Sequence, residues 1–213
     1  MANHPGETKE NSIITVDVAV MRLVCRGPRP QALDLQVAVI KRPKSPFEGY
    51  WVLPGGHLNA GESFGAAARR EWSEETLADP VDLEAIGVFG SPGRDPRGRY
   101  VSFLFFGMAG PGVELFPSAS ARESCWHSVL EDILLGFDHE RLLLQALKYW
   151  HGKMMLTSFA LQWLPTGMTL DDLSHLLERL TPLLFPPAVT PMERVKPFKA
   201  SLMSAKPVQF LFD

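Results

Sequence analysis

The sequence predicts an α/β fold, because strand-like and helix-like segments alternate through its first half. Two segments rich in β-branched residues, 13–25 and 35–42, flank a turn that contains glycine and proline, and they predict a hairpin. A loop rich in proline and glycine then leads to a proline-free stretch, 62–77, in which strong helix formers predict a helix. Further strands are predicted at 82–90 and 99–108, and the second is almost continuously apolar.

The composition changes after residue 136, where leucines recur at helical spacing. Thr169 and Asp172 fit a capping box at the start of one such helix. Prolines interrupt residues 181–191, and the pattern beyond them allows a helix near 192–203 and a short extended end. These observations predict three parts, which are a flexible N-terminus (1–11), an α/β domain (12–134) and a helical C-terminal module (135–213).

The composition limits the classes of partner. The chain has 213 residues, 46% of them hydrophobic, and a formal net charge of −3, so no global field draws it to nucleic acid or anionic lipid. Its two cysteines, Cys25 and Cys125, lack metal-ligand spacing, and the N-terminus lacks the layout of a signal peptide. No apolar run approaches the roughly 20 residues of a membrane-spanning helix. We therefore expect a cytoplasmic protein without a membrane partner.

Three carboxylates share one face of the predicted helix at 62–77. At about 100° per residue, Glu71, Glu74 and Glu75 fall within an arc of about 100°. Ala67 and Ala68 lie on the same arc one turn earlier, where small or apolar residues normally mark the side that faces a core. Acidic residues on such a side indicate that function overrides packing. The simpler alternative is an exposed helix surface with salt bridges between its charges.

Such a carboxylate group suits a divalent cation. Crowded carboxylates repel one another unless a cation lies among them, and hard oxygen ligands suit Mg²⁺ or Mn²⁺, which also bind phosphate oxygens. A bound ion would neutralise a diphosphate and help to generate hydroxide, while a free carboxylate accepts a proton. Arg70, next to the first glutamate, can orient a carboxylate through a bidentate contact.

The spacing of these residues resembles the signature of the Nudix hydrolases. The charged and glycine positions that match are Gly56, Glu62, Arg70-Glu71 and Glu74-Glu75. The resemblance implies a Nudix α/β/α sandwich, with Glu71, Glu75, Glu74 and the Gly56 carbonyl as metal ligands. It also implies catalytic roles for Glu75 and for Glu74, which is either a ligand or the proton acceptor, with support from Arg70 and Glu62.

The sequence departs from that signature at one position, where Leu77 replaces a glycine. In the family this glycine ends the helix in a left-handed conformation, which costs other residues on the order of 1 kcal/mol. We therefore expect the helix to continue towards Asp79-Pro80, with its end altered and its ligands retained.

Three other segments resemble the Nudix proteins that handle ADP-ribose and the related regulators of NAD metabolism. These are Lys41-Arg42 ahead of PFEGYWVLPGG, the turn GRDPRGR at 93–99, and FDHERLLLQAL at 137–147. Within the turn, the resemblance and the local charge point to Arg94, Arg97 and Arg99 as ligands of a diphosphate or ribose, with Asp95 holding one of them. The alternative is an exposed turn fixed by an Arg–Asp contact.

The resemblance to the regulators places a winged helix that binds DNA in the C-terminal module, with Lys196 and Lys199 as the candidate contacts. Residues 137–213, however, hold eight basic and seven acidic side chains, whereas DNA-reading helices normally carry a denser basic stripe. A helical cap or a dimer surface is the alternative, and a homodimer is the commonest assembly. We therefore expect a hydrolase of nucleoside diphosphates linked to another group, such as ADP-ribose. The second hypothesis is an ADP-ribose-sensing regulator.

Three further residues are ambiguous in the sequence. His139 lies in a leucine-rich helix, where a structural role is expected, and Glu123 is a candidate remote base. Histidine at position 57, beside Gly56, could approach a phosphate but is more often simply exposed in such a loop.

Overall fold

A computed structural model describes residues 11–27 and 32–186 of the chain. Within this part, the strands in chain order are β1 (Ile13–Cys25), β2 (Leu33–Lys41), β3 (Trp51–Val52), β4 (Gly55–His57), β5 (Leu83–Phe89), β6 (Tyr100–Met108) and β7 (Ser124–Ser128). The helices are α1 (Phe64–Thr76), α2 (His139–Met154), α3 (Thr157–Trp163) and α4 (Leu170–Leu184).

The strands form one mixed sheet in the order β3-β2-β1-β6-β5. The central pair, β1 and β6, is parallel, whereas β1–β2 and β5–β6 are antiparallel. β4 pairs with the first part of β1, and β7 pairs with β2. The predicted hairpin and the strands at 82–90 and 99–108 are confirmed within two residues at each end.

Helices cover both faces of this sheet. Val16 and Val18 of β1 pack in a cluster with Ala67, Ala68 and Trp72 of α1. The alternate β1 residues Ala19, Met21 and Leu23 pack on the other face with leucines of α2 and α4. Because both faces are buried, β1 and β6 are nearly continuous apolar runs, as expected for strands enclosed by helices.

Helix α1 starts at a conventional cap and ends earlier than the sequence predicted. Ser63 is the N-cap, and its hydroxyl accepts a hydrogen bond from Ala66 N–H. At the other end, Leu77 takes the left-handed conformation (φ 50°, ψ 24°) and donates its N–H to Ser73. The expectation that the helix continues towards Asp79-Pro80 is wrong. Leu77 adopts the conformation that favours glycine, and its side chain extends into solvent.

The C-terminal helices pack on the sheet. Leucines of α2 and α4 belong to the same apolar cluster as β1 and β2, so this part of the chain shares a core with the sheet. The predicted capping box at α4 is confirmed by reciprocal bonds between Thr169 and Asp172. The winged-helix arrangement and the boundary at 134/135 stay predictions, and residues 187–213 lie outside the described part. None of the described helices combines the length and apolarity needed to cross a membrane.

Candidate active site

Helix α1 turns two of its glutamates towards the sheet and leaves the third outside. Glu71 and Glu75 are buried together with Ala67 and Ala68, as the shared arc in the sequence predicted. The side chain of Glu74 remains 57% exposed. The packing therefore separates a buried pair of carboxylates from an exposed one.

The guanidinium of Arg70 contacts three carboxylates of this site. It donates to Glu62 at 2.9 and 3.0 Å, to Glu71 at 2.6 Å and to Glu74 at 3.2 Å. It also donates to the carbonyl of His57, the residue after Gly56 in β4. Because Arg70 lies beside Glu62, it holds the pKa of that carboxyl below its usual range. Arg70 thus orients all three glutamates that it contacts.

Glu75 is the most deeply placed carboxylate of the site. Its Oε2 accepts a hydrogen bond from Gly55 N–H at 2.8 Å, which ties α1 to β4. Burial raises the pKa of Glu75 to about 8 even though this bond favours the charged form. Burial also raises the pKa of Glu71, against the opposing effect of Arg70. Burial therefore disfavours the charged form of both glutamates, and Arg70 offsets part of this effect at Glu71.

Gly56 is in close contact with the second buried carboxylate. A Cβ at this position would overlap the carboxylate of Glu71, so only glycine allows the β4 backbone to approach it. The backbone of Gly56 and the Glu71 side chain therefore lie side by side, as the proposed ligand set requires.

The donor set suits a divalent cation, although its side chains are now engaged with other groups. Within residues 11–27 and 32–186, no three acidic, histidine or cysteine side chains already converge on one point that could hold an ion. Arg70 occupies Glu71 and Glu74, and Gly55 N–H occupies Glu75. The two buried carboxylates and the adjacent glycine backbone of β4 nevertheless provide the hard oxygen donors that Mg²⁺ and Mn²⁺ prefer.

A cavity of about 230 Å³ opens beside Glu75. It is also lined by Arg42 and Lys44, from the loop after β2, and by Ser120. Sequence reasoning did not assign these residues to the site. Arg42 was only part of a matching segment, and nothing in its spacing showed that the chain returns to α1. The cavity places positive side chains next to Glu75, as a site for an anion bridged to that carboxylate by a cation requires.

The three arginines of the turn before β6 each have a partner within the protein. Arg94 forms a bidentate pair with Asp138 at 2.7 and 3.0 Å. Arg97 pairs with Asp95 at 2.6 Å and lies over the Tyr100 ring, and Arg99 donates to the carbonyl of Gly90. Arg94 also lines a second cavity of about 410 Å³ with Phe47, Phe137 and Arg141. The structure does not bring this turn into the cavity beside Glu75, and the ligand roles of the three arginines stay predictions.

Arg94 belongs to a buried charged network beneath the β3–β4 loop. Its guanidinium lies 3.7 Å from Asp17, whose carboxylate also accepts a bond from Ser102. His139 Nε2 lies 3.6 Å from the same aspartate, and His139 Nδ1 accepts the N–H of Leu53 at 3.0 Å. Sequence reasoning missed Asp17. A single acidic residue within an apolar strand is a signal that could have identified it.

The other candidate residues lie apart from the buried pair. Glu123 forms an ion pair with Lys41 at 3.0 Å, and the ring of His57 packs 6.0 Å from that of Tyr100. Neither of them lines the cavity beside Glu75. Lys196 and Lys199 lie outside the described residues.

Comparison with known proteins identifies the family. The model of the NUDIX domain matches residues 17–150, which is more than half of the chain. The chain belongs to the Nudix family. The match begins at Asp17, covers the candidate site and ends within α2, so it includes the buried network as well as the glutamates.

Two curated Nudix relatives illustrate the range of functions. The chain is 35% identical over 119 residues to an ADP-ribose pyrophosphatase of Methanocaldococcus jannaschii, covering 56% of this chain and 70% of the relative. It is 31% identical over 183 residues to the ADPR-responsive transcriptional repressor NtrR of Acinetobacter baylyi, and this match covers 84% of this chain and 70% of the repressor. Among solved structures, the NUDIX domain of Shewanella oneidensis NrtR, crystallised with ADP ribose, matches with a TM-score of 0.57 and 25% identity. That match covers 70% of this chain and 94% of the other.

Proposed function

We propose that this protein is a Nudix pyrophosphohydrolase that uses a divalent metal to cleave a nucleoside diphosphate linked to another group, with ADP-ribose as the first substrate to test. The observation that carries the proposal is the buried pair Glu71 and Glu75 beside Gly55 and Gly56. Similarity to an ADP-ribose pyrophosphatase supports hydrolysis, and Nudix enzymes generally use divalent metals.

The principal metal ligands in this proposal are Glu71 and Glu75, the Gly56 carbonyl is an additional ligand, and Glu74 lies beside them as the proton acceptor. A bound Mg²⁺ or Mn²⁺ would neutralise the diphosphate and lower the pKa of an attacking water. Gly55 N–H fixes one oxygen of Glu75 and leaves the other free to bind. Arg70 holds Glu71 and Glu74 in position, and Glu62 in turn fixes Arg70.

The substrate phosphates are assigned to the cavity beside Glu75. Arg42 and Lys44 line it, and both carry a positive charge that suits a diphosphate. Water attacks one phosphorus, the bridging P–O bond breaks, and two phosphomonoesters leave. From ADP-ribose these products are AMP and ribose 5-phosphate. Glu74, the exposed glutamate, is the proposed proton acceptor, because it can exchange protons with solvent.

The first experiment measures product release from ADP-ribose, other nucleotide sugars and dinucleotides at millimolar Mg²⁺ or Mn²⁺. We expect Glu75→Gln to lower turnover about 10²-fold or more, because it removes a charged ligand. Glu178→Gln, at an exposed carboxylate on α4, should leave turnover unchanged. The proposal fails if no compound in the panel is hydrolysed, or if Glu75→Gln turns over like the wild type.

A second candidate function is favoured by the length of one match. The repressor from Acinetobacter baylyi aligns with 84% of this chain, so the alignment also takes in much of the C-terminal region. In this proposal the protein binds an operator, and a nucleotide such as ADP-ribose modulates the binding. Lys196→Ala/Lys199→Ala should then abolish salt-sensitive binding to that DNA while Glu75→Gln retains it. The C-terminal winged helix and the homodimer belong to this proposal.

A further inference from the structure

His139, the first residue of α2, touches the loop that carries the active-site glycines. The residue is buried, and its Nδ1 accepts the N–H of Leu53 at 3.0 Å. Burial lowers the pKa of His139, so the ring is neutral, and with Nδ1 accepting, its proton lies on Nε2. Nε2 in turn lies 3.6 Å from Oδ1 of Asp17. The imidazole is thus fixed through Nδ1 and faces the Asp17 carboxylate with Nε2.

The stretch from Leu53 to Gly56 connects this histidine to the glutamates. The Pro54 carbonyl accepts a bond from Val18 N–H at 2.8 Å, which holds the stretch against β1. Gly55 N–H then donates to Glu75, and Gly56 borders Glu71. A change in position at Leu53 therefore moves the two contacts that place the buried carboxylates.

Asp17 of β1 lies next to both His139 and the Leu53–Gly56 stretch. It pairs with Gly55 in the β1–β4 register, and a Cβ on Gly55 would lie 2.7 Å from Asp17 Oδ1. Arg94, held by Asp138, stands 3.7 Å from the same carboxylate. Side chains from β1, the turn before β6 and the start of α2 thus meet under the loop.

We propose that His139 is a positioning residue for hydrolysis. By accepting the Leu53 N–H, it fixes the Leu53–Gly56 stretch in the position from which Gly55 and Gly56 place Glu75 and Glu71. This inference rests on the proposed function of those glutamates. Helix α2 does not need the bond for its packing, since Leu142, Leu143 and Trp150 already anchor it in the core.

Two polar substitutions separate positioning from packing. His139→Asn places an amide oxygen where Nδ1 was, so it can still accept the Leu53 N–H. His139→Gln carries its amide one bond further and leaves that N–H without an acceptor. We expect His139→Gln to weaken Mn²⁺ binding and to lower kcat, each about tenfold, as for other residues that orient ligands. His139→Asn should stay within about threefold of the wild type in both quantities.

The measurements are the Kd of Mn²⁺, followed by the EPR signal of the free ion, and kcat and KM for the substrate that the panel identifies. KM should change little in either variant, because the phosphates bind in the cavity near Arg42 rather than at His139. Urea unfolding reports the stability of each variant separately. Leu142→Ala, in the same helix and fully buried, is the control. It should lower the urea midpoint and leave the Kd of Mn²⁺ unchanged.

The outcomes distinguish the two proposals. Equal losses of Mn²⁺ affinity in His139→Gln and Leu142→Ala, or in His139→Gln and His139→Asn, would overturn the positioning role. A wild type that binds Mn²⁺ but hydrolyses no diphosphate would overturn the hydrolase proposal, while the Kd series would still decide the role of His139. A wild type that binds no Mn²⁺ would overturn both.

Discussion

Two arginines organise this molecule, and they differ in what surrounds them. Arg70 donates to Glu62, Glu71 and Glu74 and retains 24% of its side-chain exposure. Arg94 is only 6% exposed and is held by Asp138, with Asp17 nearby. Both are surrounded by carboxylates, but Arg70 is the more exposed of the two and can more readily exchange its partners with water, a cation or substrate.

The difference follows from where the partners originate. The carboxylates around Arg70 come from one helix and the loop before it, so the group can rearrange without moving the sheet. The carboxylates around Arg94 come from β1 and from the start of α2, and the pair links elements that are far apart in the chain. The comparison indicates a chemical role for the Arg70 cluster and an architectural role for the Arg94 cluster.

The largest expected effect is on stability, at the Arg94 cluster. Arg94→Leu or Asp138→Leu should lower the free energy of unfolding by about 3–5 kcal/mol, because each leaves a buried charge without its partner. The double variant Arg94→Leu/Asp138→Leu should lose less than the sum of the two, because it leaves neither charge of the pair alone. Urea unfolding measures all three. Additive losses would contradict the pairing.

The Arg70 cluster should show the opposite balance between stability and activity. Arg70→Ala removes a partly exposed group, so we expect a loss of about 1–2 kcal/mol in the free energy of unfolding. Hydrolysis should fall about 10–100-fold, because Glu71 and Glu74 lose the group that orients them. Unfolding curves and initial rates on the same preparations test this. A stability loss as large as that of Arg94→Leu would remove the distinction between the clusters.

The same distinction explains what the sequence could predict. Glu71, Glu74 and Glu75 lie at fixed spacings in one helix, so helix geometry alone predicted that they share an arc, and Arg70 is next to the first of them. Glu62 lies before the helix and was predicted only from the resemblance to the Nudix signature. The bounds of β1, β5 and β6 were also within reach, because apolar runs and turn residues mark them. These signals are local, and they identify residues that are close in both sequence and space.

The buried network was not predictable in this way. Asp17, Arg94 and His139 come together only because β1 and β6 pair in parallel and α2 packs across the sheet. Strand β7 was missed for a related reason, since Ser124–Ser128 carries polar residues and is a strand only through its pairing with β2. The conformation of Leu77 was predicted wrongly, because its local cost suggested a longer helix, whereas α1 ends at Thr76 and Leu77 takes the left-handed conformation.

A smaller effect on stability is expected with pH. Burial lowers the pKa of His139, opposed by Asp17 and Asp138 and assisted by Arg94 and Arg42. As the pH falls through 6.5, His139 becomes protonated in the unfolded chain before it does so in the folded chain. The folded state therefore loses stability relative to the unfolded state. The slope for one proton is at most about 1.4 kcal/mol per pH unit.

The His139→Asn variant isolates this term. At each pH between about 8 and 5, its free energy of unfolding is subtracted from that of the wild type. The subtraction removes the contributions of carboxyl groups such as Glu75, which both proteins share. We expect the free energy of unfolding of the wild type, relative to that of His139→Asn, to fall progressively below pH 6.5. A difference that stays constant with pH would mean that His139 titrates alike in the folded and unfolded chains.

The smallest expected effect lies at the end of the helix that carries the Arg70 cluster. Leu77 holds a left-handed conformation that costs a residue with a Cβ about 1 kcal/mol, and its side chain is 55% exposed. Leu77→Gly should therefore raise the free energy of unfolding by about 0.5–1 kcal/mol, while hydrolysis stays within about twofold. Leu77→Ala keeps the Cβ and should bring no such gain. Because the glycine variant removes the strain and the alanine variant only shortens an exposed side chain, an equal gain in both would show that the backbone of Leu77 is not strained. A gain confined to glycine would show that α1 keeps its glutamates in place despite a suboptimal C-terminal residue.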